Sequence, residues 1–152
     1  MHAAPVLKIL GLLLSILAVS MLIPMSFDLI SGNPDWNAFA AASLFTGFIG
    51  ICLWLANRKI NDNELGLKEA FLLTNGAWAL IGLFGALPFY FSSLELSVVD
   101  SVFESTSGIT TTGSTILSDI EQASLGLLIW RALLQWLGGI GIIVMAIAVL
   151  PM

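Results

Sequence analysis

Residues 103–115 read FESTSGITTTGST, a run of hydroxyl side chains around two glycines in which nothing after Glu104 ionises near neutral pH. Thr110, Thr111, Thr112, Gly113 and Ser114 offer backbone carbonyls and hydroxyls, the hard oxygen ligands that replace the hydration shell of an alkali cation. Gly113 reaches positive φ at no steric cost, so an extended segment can turn successive carbonyls to one side there. A Ser/Thr/Gly run is equally an ordinary exterior loop. Its place in the chain has to choose between the two.

Composition sets the solvent. With 58% hydrophobic and 10% charged residues and a mean hydropathy of +1.00, the chain reads as an all-α integral membrane protein. Four apolar segments, 6–30, 38–56, 70–91 and 125–150, are each long enough for a bilayer core about 30 Å thick. The stretch 97–115 lies between the last two and is too short and polar to cross. It predicts a re-entrant half-helix followed by an extended return, which survives at membrane depth only where protein or water satisfies its backbone.

Ser97 followed by Asp100 marks a helix start. Val99, Val102, Phe103 and Thr106 recur on one face of a short helix, and Gly108 is the expected stop. About a dozen residues at 1.5 Å each give about 18 Å, reaching from one surface to mid-membrane. The carboxyl end would then point inward with a partial negative charge and four unpaired carbonyls, which favours a cation.

Arg58, Lys59 and Lys68 share one connection, and Lys8 belongs to the same side. That side is expected to be cytoplasmic, with the amino terminus inside. The opposite side carries Asp28, Asp35, Glu95, Asp119 and Glu121, either a solvated surface or a cation-concentrating pore mouth.

Arg131 lies within the fourth span, where a charge is costly unless paired or hydrated. Glu104 is its expected partner, supporting the pore helix; the alternative is an arginine that snorkels outward. Gly138, Gly139 and Gly141 suit close helix approach. Pro24 should kink the first span, which continues beyond the small-residue site Ala18-Val19-Ser20 and so reads as a span rather than a cleaved leader. Cys52 inside an apolar span packs as a small hydrophobe. No nucleophile with its base, phosphate-cradling loop or metal cluster is apparent, so an enzyme is not expected.

The order helix, half-helix, polar strand, helix is that of a pore quarter. Thr111-Thr112-Gly113-Ser114-Thr115 keeps the first glycine of the potassium-channel filter TVGYG but lacks its tyrosine and second glycine. Together FESTSGITTTGST and WRALLQWLGGIGIIV, residues 130–144, resemble the Trk/Ktr/HKT superfamily of potassium transporters, within it the bacterial Trk-type membrane subunit. The resemblance covers essentially the whole chain. It implies an amino-terminal helix pair at 1–57, a cytoplasmic loop at 58–69 and the first of four M1-pore-M2 repeats at 70–152. It makes Gly113 a filter glycine, with potassium bound through Thr111, Thr112 and Gly113.

The resemblance further implies potassium as transported substrate, no covalently bound cofactor, membrane lipid and the remaining repeats as surroundings, a homodimer of complete subunits, a cytosolic nucleotide-binding regulatory subunit, no nucleic acid, and the bacterial inner membrane. The family surrounds its pathway with four repeats, so the chain is expected to be an amino-terminal part. Open alternatives are a non-conducting assembly subunit and a sodium-selective or proton-coupled carrier.

Overall fold

Two prolines divide spans that hydropathy alone reads as continuous. The structure, a computed structural model, describes residues 3–58, 66–117 and 123–149, and every regular element among them is a helix. Helices α1 (Ala3–Ser20) and α2 (Leu22–Ser31) make the first span, parted at Met21. Pro24 has no N–H for the Ser20 carbonyl and its ring crowds that oxygen, which accounts for the break. The second span is α3 (Trp36–Asn57). The third, expected as one helix over 70–91, is instead α4 (Leu67–Gly85) and α5 (Leu87–Phe91), parted at Ala86 where Pro88 withdraws the donor for Phe84. Then come α6 (Val98–Ile109) and α7 (Leu125–Val149).

Stretches Ala4–Ser31, Trp36–Asn57, Lys68–Phe91 and Leu125–Ile143 are long and apolar enough to cross a bilayer. With 12 residues, α6 extends about 18 Å and cannot cross. The architecture is therefore all-α, four membrane helices with one re-entrant half-helix. The positively charged connection is described only at Arg58 and from Gly66 onward, so Lys59 lies outside the described residues.

Lipid tails are as apolar as leucine, so helices in a bilayer associate through close packing and interhelical hydrogen bonds rather than hydrophobic exclusion. The α1–α3 contact follows that rule. A Cβ on Gly11 would stand 2.7 Å from Gly50 O and Trp54 N, and one on Gly50 would stand 2.7 Å from Ser15 Oγ. Ser43 Oγ donates to Ala18 O across the pair at 2.8 Å.

At the centre, Leu127, Trp130 and Leu134 share the buried face of α7, the helical spacing that aligns side chains three and four apart. Trp130 meets Phe39 edge to face, with centroids 6.3 Å apart. Its Nε1 donates to Gly85 O, beside the α4–α5 break, at 2.9 Å. One indole thus ties α7 to α3 and to the end of α4.

Candidate cation pathway

Helix α6 begins as its sequence directs. Ser97 Oγ accepts from Asp100 N at 3.1 Å and donates to Asp100 Oδ2 at 2.8 Å, so the first turn is capped and carries the acid that suits its dipole. The face of Val99, Val102, Phe103 and Thr106 is largely exposed, with Val99 77% exposed, Val102 half-buried and Thr106 beside Gly82 of α4. The buried face is polar and small: Ser101, Glu104, Ser105, Ser107 and Gly108. Small residues let backbones approach. A Cβ on Gly85 would lie 2.6 Å from Ser105 Oγ, one on Gly108 3.1 Å from Leu134 Cβ, and one on Gly138 would overlap Ile109 O. Of Gly138, Gly139 and Gly141, only Gly138 makes such an approach to α6; Gly139 faces open space and Gly141 has ordinary contact with Trp78.

The end of α6 corrects two expectations. Gly108 does not stop the helix, which runs to Ile109 with Thr110 at φ −78, ψ 0. The reversal is made by Thr111, a β-branched residue at φ 58, a conformation that costs side chains about 1–2 kcal/mol. Nor are the carbonyls of Thr106, Ser107 and Gly108 unpaired. Thr111 N donates to Gly108 O at 2.9 Å and Thr112 N to Ser107 O at 3.0 Å, the two bonds of a Schellman cap. Thr106 O accepts from Thr110 N at 2.9 Å and from Thr110 Oγ1 at 2.7 Å. Such capping needs a left-handed residue just past the end, and a glycine three places earlier gave no sign that a threonine would take that place.

Beyond the cap, residues 112–117 take no regular secondary structure. Gly113 takes the positive φ expected of it, 77°, with nothing within 4 Å of a would-be Cβ. Thr110, Thr111, Thr112, Gly113 and Ser114 are all exposed. The Thr110 hydroxyl has one proton, given to Thr106 O, so in the 2.8 Å contact between Thr110 Oγ1 and Thr112 Oγ1 it is Thr112 that donates. Ser114 O is tied back to α6 by Ser107 Oγ at 2.6 Å. Among the described residues, no donor meets the carbonyls of Thr111, Thr112 and Gly113.

Glu104 joins three pieces of this site. Its Oε1 accepts from Thr115 Oγ1 at 2.6 Å and from Ile116 N at 2.7 Å. Its Oε2 lies 3.3 Å from Arg131 Nε. That oxygen is buried without a hydrogen-bond partner, so the Arg131 contact is an ion pair whose N–H is not aimed at it. Glu104 is fully buried and Arg131 11% exposed. The carboxylate thus holds the far end of the strand to α6, and α6 to α7.

Two acids expected on the surface are buried instead. Asp28 accepts from Ser124 Oγ at 2.9 Å and from Gly126 N at 2.7 Å, capping the start of α7 from 98 residues away. A Cβ on Gly126 would overlap that carboxylate. Asp35 accepts from Ser93 N at 2.8 Å and Ser93 Oγ at 3.1 Å. A helix amino terminus and a loop amide supply what water would otherwise give a carboxylate. Glu95 is exposed, while Asp119 and Glu121 lie outside the described residues. An acid at the edge of an apolar span was the available signal; its partner 58 or 98 positions on has none.

Known proteins with related sequences and structures cover the same ground. A family model described as TrkH, cation transport protein, matches residues 36–152. The Trk system potassium uptake protein TrkI of Halomonas elongata is 43% identical over 150 residues, covering 97% of this chain and 30% of that protein. TrkH of Escherichia coli K12 is 41% identical over 152 residues, covering 99% and 31%. The crystal structure of the potassium transporter TrkH from Vibrio parahaemolyticus superposes with a TM-score of 0.93 at 35% identity, over all of this chain and 32% of that one. The chain spans about three tenths of the length of the curated relatives it matches. A match to the family model across more than half of the residues, carried by helices, half-helix and strand alike, places this chain in the TrkH cation transport protein family.

Proposed function

We propose that this chain contributes one wall of a potassium-selective pathway, with the strand Thr110, Thr111, Thr112, Gly113 and Ser114 as its share of the filter. Potassium is the transported substrate, coordinated through the carbonyls of Thr111, Thr112 and Gly113. Glu104 and Arg131 support the pore helix behind it. The observation that carries the reading is an exposed, uncharged polar segment without regular structure, on the end of a half-helix inside a chain of four apolar spans. Backbone in that state is tolerated at membrane depth only beside protein or water. Relatives named as potassium uptake proteins support the choice of ion.

The wider reading takes residues 1–57 as an outer helix pair, 58–69 as a cytoplasmic loop and 70–152 as a first M1-pore-M2 unit. The amino terminus lies in the cytoplasm, because Lys8, Arg58, Lys59 and Lys68 gather on one side; the bacterial inner membrane is what the family resemblance implies. Complete subunits pair as homodimers and take a cytosolic nucleotide-binding regulatory partner, as the family resemblance implies.

Gly113→Ser in the full-length protein tests the filter. The new side chain has room, but its φ of 77° costs about 1–2 kcal/mol in a residue with a Cβ, so the strand shifts and sodium competes. The potassium-to-sodium permeability ratio should fall in protein that still folds. An unaltered ratio would sink the assignment, and absence of flux above empty vesicles in the wild type would return the chain to a scaffold role.

A further inference from the structure

We infer that Asp28 and Asp35, both on the amino-terminal helix pair, are positioning residues for the strand 110–114, because they hold the two ends of the re-entrant segment. The inference rests on reading that strand as a cation path. Asp35 binds Ser93, before α6 begins. Asp28 binds Ser124 and Gly126, where α7 begins. The half-helix and its return strand therefore leave from and come back to one end of the α2–α3 pair, each root fixed by a carboxylate. Both acids are buried, Asp28 completely.

The contact chain from Asp28 to the strand is continuous. Asp28 sets the start of α7; α7 carries Arg131, which pairs with Glu104; Glu104 holds Thr115 and Ile116 at the strand's far end. Two donors converge on Asp28 at the positive end of α7, where a carboxylate gains from charge-assisted bonds and the helix dipole. Gly126 is the other half of the fit, since a Cβ there would lie 2.9 Å from Asp28 Oδ1 and overlap its other oxygen. Spatial continuity alone does not establish coupling, so the claim needs a readout that simple scaffolding would not move.

That readout is the potassium-to-sodium permeability ratio of the full-length protein in vesicles, beside its yield and melting temperature. Asp28→Ala and Gly126→Ala should each lower the ratio several-fold, and Asp35→Ala should do so from the other root. Asp28→Asn, which keeps an oxygen for Gly126 N–H but no charge, should fall between. The double variant Asp28→Ala with Gly126→Ala should be no worse than the worse single, because the added methyl and the lost carboxylate compete for one place. Should the alanine variants fail to accumulate, Asp28→Asn and Ser124→Ala, which keep the bond to Gly126, are read by the same ratio. A wild-type ratio in whatever protein is recovered, however reduced its melting temperature, overturns the positioning role. A wild type without potassium preference overturns the filter reading itself, and the inference with it.

Discussion

Two residues carry constraints that single substitutions can weigh. Thr111 holds φ 58 with a branched side chain, so Thr111→Gly removes a cost of about 1–2 kcal/mol while adding about 0.5–1 kcal/mol of chain entropy to be lost on folding. The variant should be as stable as the parent or more stable by up to about 1.5 kcal/mol in denaturant titration. A clear loss would show that the Thr111 side chain makes a contact worth more than its strain. Glu104 and Arg131 lie 3.3 Å apart, so Glu104→Gln and Arg131→Gln should each destabilise, and together show a coupling of about 0.5–3 kcal/mol, the range for residues in contact. The lower part of that range fits a pair whose geometry is ionic without an aligned hydrogen bond. Strict additivity in detergent unfolding would mean that the ion pair contributes nothing to the fold.

At the scale of elements, the half-helix is placed by backbone proximity more than by side-chain mass. Gly138 on α7 lies against the Ile109 carbonyl so closely that a methyl cannot fit. Gly138→Ala should push the end of α6 outward, costing about 1–3 kcal/mol as overpacking does, and should reduce potassium flux along with stability. Gly139→Ala, which meets nothing within 4 Å, is the control; it should cost little within this wall. Equal losses from both would mean that the glycines act through the flexibility of α7 rather than through the α6 contact. The capping serine of α6 and its length were readable from spacing. Which face turned inward was not: its apolar stripe points outward, because the packed face needed small residues and the Glu104 carboxylate needed Arg131.

For the whole molecule, a pathway that binds potassium in preference to sodium must be stabilised by potassium. In the full-length protein, potassium should raise the melting temperature above that in sodium at equal ionic strength. The gain is about 2.7 kcal/mol when the ion stands at a hundred times its dissociation constant. Identical melting in both salts would count against selective binding in the folded state. The sequence by itself determined the solvent, the four spans, the interrupted polar segment and the residues of the strand, because hydropathy, capping chemistry and glycine's freedom at Gly113 act over a few neighbouring positions. Only the three-dimensional structure decided that Thr111 rather than Gly108 turns the chain, and that Asp28 and Asp35 are buried anchors rather than surface charge. The two aspartates depend on which donors a folded chain brings to a carboxylate from 58 and 98 residues away, and no local pattern of residues specifies a partner at that distance.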